Sequence, residues 1–150
     1  MSLKATHLLE MREFLSGDEI VEPSSPSYAQ ESRVWAYQRQ QHPSVVVRPS
    51  SMTSLQATVK YLCDSTLDFG VRSGGLGSSS ARDVVVSMSA FNEVVFNAED
   101  ETALVGAGQT WGEVDRKLVD LAPGYAGRQS FLDTVDVNEV IDRSLPPHSL

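Results

Sequence analysis

Cysteine and long apolar runs are nearly missing from this 150-residue chain. Its one cysteine, Cys63, cannot form an internal disulfide, which is typical of proteins of a reducing compartment. No stretch approaches the roughly 20 apolar residues of a transmembrane helix, so no membrane span is expected. The first 20 residues mix charged and apolar side chains and lack the apolar core of a secretory signal. The sequence therefore predicts a cytoplasmic protein.

Basic residues are also scarce. Twelve Lys and Arg stand against 20 Asp and Glu, which gives a formal net charge of -8. Nucleic acids and anionic membrane surfaces attract basic proteins, so neither is expected as a partner. The three histidines, His7, His42 and His148, show no ligand spacing, so no metal site is expected. With 41% hydrophobic residues, the composition fits a soluble domain with its own core.

The first half of the chain predicts helices alternating with strands. Leu8, Met11 and Leu15 have helical spacing and predict a helix over residues 5–15 that Gly17 can end. Residues 23–41 are mostly polar and are predicted as a loop with one helical turn near Trp35. The β-branched run at residues 44–47 predicts a buried strand.

The next helix is predicted to begin with a capping box formed by Thr53 and Gln56. Its apolar face would contain Leu55, Val59 and Leu62. The neighbouring Cys63 is interpreted as a small buried apolar residue rather than a reactive thiol.

The second half predicts strands at residues 68–72 and 84–88, and a hairpin from two strands around residues 97–101. A capping box of Thr110 and Glu113 predicts a helix, with Trp111 on its core-facing side. Strand, helix, strand, loop, strand, hairpin and helix is an α/β order in which the first two strands are expected to be parallel. From residue 129 onward the pattern fades: residues 132–141 fit one acidic helix or strand, and residues 144–150 are expected to form a loose tail.

One glycine-rich segment stands out between the strands at residues 68–72 and 84–88. We call residues 72–79 the glycine loop; they are Arg72, Ser73, Gly74, Gly75, Leu76, Gly77, Ser78 and Ser79. Glycines allow positive φ and bring backbone N–H groups close to a ligand, and several such groups can surround a phosphate. The loop is neither a Walker A motif nor a Rossmann GxGxxG, because it lacks Gly-Lys-Ser/Thr and a strand follows it.

Each of these residues also has a purely structural interpretation. Arg72 is either a phosphate ligand or a surface charge at a strand end, and Ser78 and Ser79 either donate to a diphosphate or cap a turn. The glycines are structural in both cases. No side-chain constellation in the sequence identifies a catalytic residue.

The order of motifs along the chain resembles one family. The motifs are Val-Val-Val-Arg-Pro-Ser-Ser, a helix, Val-Arg-Ser-Gly-Gly-x-Gly, Val-Val-Ser-Met-Ser and Thr-Ala-Leu-Val-Gly-Ala-Gly-Gln-Thr-Trp-Gly-Glu-Val. From about residue 43 to 127, this order is similar to the N-terminal part of FAD-linked oxidoreductases with a PCMH-type FAD domain. That group contains the enzymes related to vanillyl-alcohol oxidase and berberine bridge enzyme.

The resemblance implies a fold and a set of roles. The fold would be the N-terminal subdomain of a PCMH-type domain, an α/β arrangement of a small sheet, flanking helices and a β-hairpin. The glycine loop would wrap the FAD diphosphate, Pro49 would lie near the adenine end, and the turn at residues 106–108 would be a point of close packing near the cofactor. The implied activity is hydride transfer from a small molecule to flavin, in the biosynthesis of secondary metabolites.

The chain departs from the family in two ways. Members with covalent flavin carry His at the position of Leu76, so the resemblance implies non-covalent FAD here. The similarity also stops after residue 128, before the family's substrate domain, so the chain looks truncated. We expect three regions: residues 1–42, a helix and loop; residues 43–128, a partial FAD-binding domain; and residues 129–150, a divergent tail.

Two alternatives to a complete oxidoreductase therefore stay open. The chain would be a non-catalytic module that needs a partner chain for the missing subdomain, or a product without activity. In either case we expect weak FAD binding or none, because half a site supplies only part of the binding free energy.

Overall fold

The computed structural model describes residues 3–75, 80–123 and 140–142, which form two sheets and four α-helices. The helices are α1 (Ala5–Met11), α2 (Tyr28–Ser32), α3 (Met52–Asp64) and α4 (Trp111–Leu121), with one 3-10 turn at Tyr37–Arg39. The strands are β1 (Ile20–Val21), β2 (Val45–Val47), β3 (Phe69–Arg72), β4 (Val84–Ser87), β5 (Val94–Asn97), β6 (Thr102–Val105) and β7 (Val140–Asp142). No described helix has the length and apolar character needed to cross a bilayer.

The first sheet has the strand order β1-β2-β4-β3. Strands β2, β4 and β3 run parallel, and β1 pairs antiparallel with β2. The expected parallel orientation of β2 and β3 is confirmed, but they are not neighbours. The later strand β4 lies between them, with Val84 paired to Val45 on one side and to Phe69 on the other. Because β4 is a central strand, its three valines are buried, and burial of apolar side chains stabilises this strand order.

Both faces of this sheet are covered at its central strands, β2 and β4. Val45, Val47, Val84 and Val86 pack against Met11, Leu15 and Leu62 from α1, its following turn and α3. On the other face, Val46 and Val85 contact Val21 and Ala81, with Tyr28 of α2 beside them. Burial on both faces explains why three consecutive valines form β2 and begin β4. The N-terminal 42 residues thus contribute to the same core.

The second sheet, β5-β6-β7, is antiparallel. Its buried face packs Ala103 and Val105 against Trp111, Val114 and Leu118 of α4. Trp111 is therefore a core residue, as predicted. The hairpin between β5 and β6 is also confirmed, with Glu101 at a φ of 56° in its turn. Val140–Asp142 of the predicted tail form β7, and the rest of residues 129–150 lies outside the described residues.

Several sequence-based boundaries were wrong. Helix α1 ends at Met11 because Glu13 and Phe14 donate to the carbonyls three residues earlier, which tightens the last turn. Helix α3 begins earlier than predicted, with Ser51 as its N-cap and with the reciprocal bonds made by Ser51 and Ser54. The prediction that Cys63 is buried was also wrong: Cys63 is exposed, and its neighbour Leu62 is the residue that faces the core.

The predicted loop at residues 23–41 contains more structure than expected. Its helical turn lies at α2, upstream of Trp35, and the 3-10 turn follows Trp35. The α/β fold class with small sheets, flanking helices and a hairpin is confirmed.

Candidate functional site

The glycine loop begins at the carboxyl edge of the parallel strands. It follows β3, while Arg48 and Pro49 follow β2 and Met88 and Ser89 follow β4 at the same edge. Open α/β sheets bind ligands outside the carboxyl ends of their strands. The topology thus brings the glycine loop, the Pro49 segment and the end of β4 to the edge where a ligand would be expected.

Arg72 points back into the protein. Its side chain is only 13% exposed, and its Nε donates to Arg33 O at 2.9 Å and its Nη2 to Gln30 O at 3.3 Å. Nη1 lies 3.8 Å from Oε2 of Glu31. Burial lowers the pKa of Arg72, although the charge of Glu31 acts in the opposite direction. The structure therefore commits much of the hydrogen-bonding capacity of Arg72 to the chain itself.

Gly75 requires the absence of a side chain. Its φ is +83°, and a Cβ at this position would lie 2.5 Å from Nη2 of Arg72. Its carbonyl oxygen accepts a hydrogen bond from the Trp35 N–H at 3.0 Å. The positive φ that the glycine-rich sequence allows is present here. Four other predicted site residues, Leu76, Gly77, Ser78 and Ser79, lie outside the described residues.

The turn at residues 106–108 touches the glycine loop through Ser73, whose hydroxyl donates to Ala107 O. A Cβ on Gly106 would overlap Phe91 O, and a Cβ on Gly108 would overlap Met88 O. The close packing that the family resemblance implies for this turn is therefore present. Its position beside a cofactor stays a prediction.

An open polar cleft of about 660 Å³ lies between the glycine loop and α4, within the size range of small-molecule sites. The start of the loop lines it together with Glu31, Ser89 and Gly108. Helix α4 contributes both signs of charge, from Glu113, Arg116, Lys117 and Asp120. The cleft thus offers hydroxyl groups, backbone and balanced charges rather than a strongly basic surface.

A second, more apolar groove of about 500 Å³ starts at Ser50 and Ser51, just after Pro49. Its walls include Met52 and Leu55 from α3 and the outer face of the hairpin, at Val95 and Leu104. Gly106 and Ala107 line this groove, whereas Gly108 lines the polar cleft. The 106–108 turn therefore borders both spaces.

Comparison with known proteins identifies this arrangement. The sequence profile of a family described as FAD binding domain matches residues 43–126, more than half of the chain. The chain belongs to the FAD binding domain family. The resemblance to FAD-linked oxidoreductases related to berberine bridge enzyme is confirmed.

Individual relatives of this FAD binding domain are distant and much longer. (R)-6-hydroxynicotine oxidase of Paenarthrobacter nicotinovorans is 24% identical over 100 residues, which cover 64% of this chain and 22% of that protein. Berberine bridge enzyme, solved as a variant, superposes with a TM-score of 0.65 at 21% identity, covering 79% of this chain and 27% of the other. Wild-type BBE-like 1 of Physcomitrella patens gives 0.60 at 22% identity, with 74% and 26% covered. The chain spans about a quarter of the length of these proteins.

Two buried carboxylates that precede the matched residues were missed from the sequence. Glu31 is 5% exposed and accepts hydrogen bonds from Ser87 Oγ at 2.6 Å and from Ser89 Oγ at 3.0 Å. Arg48 and Arg72 flank it. Its partners are distant in sequence, so no local pattern could have revealed it.

Glu19 holds the segment that follows β2. Its carboxylate accepts from the N–H and hydroxyl of Ser50, at 2.6 and 2.8 Å, and from Ser54 Oγ at 2.8 Å. Burial raises its pKa, but these hydrogen bonds and those from Ser16 outweigh burial and lower it to about 2. Glu19 thus fixes the loop that leads into the apolar groove.

Proposed function

We propose that this chain is the cofactor-binding part of an FAD-linked oxidoreductase, with the FAD diphosphate bound by backbone N–H groups of the glycine loop. The observation that carries the proposal is the position of this loop: it leaves the carboxyl edge of a parallel sheet at the mouth of a 660 Å³ cleft. Gly75 at positive φ supports it, since such turns place backbone N–H groups toward an anion.

The predicted site residues divide into two roles in this proposal. Ser73, Gly74, Gly75, Leu76, Gly77, Ser78 and Ser79 supply backbone N–H groups or hydroxyls to the diphosphate. Arg72 contributes its charge from within the protein and keeps the loop in place, because its donors already bind Gln30 and Arg33.

FAD attachment is proposed to be non-covalent. Leu76 has no nucleophilic atom, so the glycine loop offers no histidyl bond to the flavin at this position. The polar cleft and the apolar groove on the two sides of the 106–108 turn suit the two chemical characters of FAD, its charged diphosphate and its aromatic rings.

The complete protein is proposed to oxidise a small molecule of secondary metabolism by hydride transfer to the flavin. The relative named 6-hydroxynicotine oxidase acts, by its name, on a small organic molecule. The exposed thiol of Cys63 favours the cytoplasm as its compartment, because exposed thiols persist best where the environment is reducing.

A second candidate function is a module completed by a partner chain. The apolar groove supports it, because Val95 and Leu104 present large exposed apolar side chains there. A contiguous apolar surface of this kind is typical of a face covered by another protein surface. The partner would supply the remaining FAD and substrate subdomains.

The deciding experiment is a titration of the isotope-labelled chain with FAD and with riboflavin, followed by NMR. We expect FAD to shift the signals of Ser73, Gly74 and Gly75 with a Kd of about 1 mM, because only part of the site is present. Riboflavin lacks the diphosphate and should leave these signals unchanged. Gly75→Ala should abolish the shifts, since the new Cβ meets Arg72 and the positive φ disfavours alanine.

Gly17→Ala is the matched control, because nothing lies within 4 Å of the added methyl group. Equal shifts with FAD and riboflavin would contradict diphosphate binding. If the glycine-loop signals respond to neither ligand, the FAD proposal for this chain fails. FAD binding that appears only when a partner chain with the remaining subdomains is added would support the partner-chain function.

A further inference from the structure

One buried carboxylate connects the ends of all three parallel strands. Glu31 accepts hydrogen bonds from Ser87, the last residue of β4, and from Ser89, two residues later. Its Oε1 lies 3.7 Å from Nη1 of Arg48, which follows β2, and its Oε2 lies 3.8 Å from Nη1 of Arg72, which ends β3. The carboxylate is thus held by the central strand and extends toward both of its neighbours.

The chain around Glu31 forms a receptor for the Arg72 guanidinium. The carbonyl groups of Gln30 and Arg33, on either side of Glu31 in sequence, accept from Nη2 and Nε of Arg72. The guanidinium in turn lies directly against Gly75, where a Cβ would come within 2.5 Å of Nη2. The Trp35 N–H then donates to Gly75 O. Residues 30–35 therefore contact the glycine loop at its entrance and at its positive-φ turn.

The two guanidinium groups of this cluster share one carboxylate. Glu31 stands between Arg48 and Arg72 and is the acidic side chain paired with each of them in the described structure. Removing the carboxylate would leave Arg72 buried without its charged partner, which strongly disfavours its present position. The guanidinium would then turn toward water, and the surface that supports Gly75 would be lost.

We propose that Glu31 is a positioning residue of the cofactor site: it fixes Arg72, and through Arg72 the backbone of residues 73–75 at the start of the glycine loop, in the conformation that receives a diphosphate. The inference rests on the proposed function, since it assigns to Glu31 the preorganisation of that same loop. Preorganisation strengthens binding because the loop does not have to be ordered when the ligand arrives.

The test uses Glu31→Gln in the full chain, with Glu13→Gln as the control. Both substitutions remove one negative charge, but Glu13 is exposed and lies on the turn after α1. The first measurement needs no ligand: amide hydrogen exchange at Trp35, whose N–H is bonded to Gly75. We expect exchange to be roughly tenfold faster in Glu31→Gln, with the amide of Val85 unchanged as a check on the sheet.

The second measurement is the NMR titration with FAD and riboflavin. Glu31→Gln should weaken FAD binding roughly tenfold and leave the response to riboflavin unchanged. A double-mutant cycle with Arg72→Lys should be non-additive, because Glu31 acts through Arg72. If Glu31→Gln unfolds the chain, the Ser87→Ala, Ser89→Ala double variant replaces it, since that variant keeps all charges and removes two hydroxyls that hold Glu31.

The outcomes separate this inference from the proposed function. Unchanged Trp35 exchange in Glu31→Gln, or equal acceleration in Glu13→Gln, overturns the inference. Additive effects of Glu31→Gln and Arg72→Lys also overturn it. If the wild-type chain fails to respond to FAD while Trp35 exchange accelerates as expected, the proposed function fails but Glu31 still positions the loop.

Discussion

The two sheets of the molecule differ in how they meet water. Every valine of β2 and β4 is buried, whereas Val95 and Leu104 on the outer face of the second sheet are 56% and 67% exposed. Parallel sheets are usually buried on both faces, whereas antiparallel sheets often expose one face to solvent. The central strands β2 and β4 of the first sheet are therefore covered on both faces by described residues, and the second sheet has one face that another surface could cover. The glycine loop follows β3 of the first sheet, and Glu31 binds Ser87 at the end of β4.

The site lies where these two regions join. Ser73 of the glycine loop donates to Ala107 in the turn that follows β6, and Gly108 in this turn packs against Met88 after β4. Because the contacts leave no room for a side chain, the position of the second sheet relative to the loop is narrowly defined. The contrast between a sheet with buried central strands and a sheet with one exposed face can be tested at four places.

The largest loss of stability is expected at Gly108, where the turn after β6 packs against the end of β4. Gly108→Ala would place a methyl group on Met88 O, so we expect the free energy of unfolding to fall by roughly 3 kcal/mol or more. Gly17→Ala, with open space around its new methyl group, should change it by less than about 0.5 kcal/mol. Urea unfolding followed by circular dichroism measures both. Similar midpoints for the two variants would show that the contact between Gly108 and Met88 tolerates a side chain.

Acid should lower the free energy of unfolding by protonating Glu19, which holds the segment after β2 of the first sheet. Its folded-state pKa of about 2 lies below the ordinary value of 4.5, so its stabilisation is present at neutral pH. This stabilisation, about 3 kcal/mol, should be lost as the pH falls from about 5 toward 2. Urea midpoints measured across this range should fall steeply for the wild type and less steeply for Glu19→Gln. The exposed variant Glu13→Gln should follow the wild type; parallel curves for all three proteins would refute the role of Glu19.

A pair of valines compares the two sheets directly. Val86 in β4 is fully buried, so Val86→Ala should cost about 2 kcal/mol through lost burial and a cavity. Val95 is more than half exposed, and Val95→Ala should cost less than about 1 kcal/mol. Both values come from urea unfolding of the single variants. Equal costs would indicate that Val95 is covered in solution, as the partner-chain function requires.

The smallest effect is expected at the start of α4. The Glu113 carboxylate accepts from the N–H and the hydroxyl of Thr110, at 2.7 and 2.9 Å, and the backbone bond is the main cause of its lowered pKa. Glu113→Ala should cost about 1 kcal/mol of unfolding free energy. Glu99→Ala, in the exposed hairpin turn, is the control. A cost no larger than that of the control would mean that tertiary packing alone holds α4.

Local patterns sufficed for much of this fold. The valine runs predicted β2 and β4, the polar turn predicted the hairpin, and Thr110 with Glu113 predicted the start of α4. Strand β1 could not be predicted, because two residues carry no periodicity and Ile20–Val21 become a strand only by pairing with β2. The same holds for the order of strands, since β4 enters between two strands that precede it.

The sequence predicted the position of the loop at the candidate site, but it did not predict the side-chain contacts around that loop. Glycine spacing identified the loop, and the positive φ of Gly75 agrees with it. The buried carboxylates gave no signal, because Glu19 is held by Ser54 and Glu31 by Ser87, which are 35 and 56 residues away. Arg72 was predicted as either a phosphate ligand or a surface charge at a strand end. Its side chain is largely buried, so the second interpretation is wrong, and the first remains a prediction. Its contacts with residues 30–33 depend on a segment that the sequence presented as loop.

The central place of β4 has a consequence for the order of events during synthesis. Strands β2 and β3 are made first, yet neither can complete its hydrogen bonds until Val84–Ser87 enter the gap between them. A nascent chain that stops short of residue 84 holds two parallel strands with an open slot and unpaired backbone on both sides. Such a slot can accept a strand from another molecule. We therefore expect nascent chains to be most prone to aggregation just before β4 leaves the ribosome, and folding to become cooperative once it has emerged.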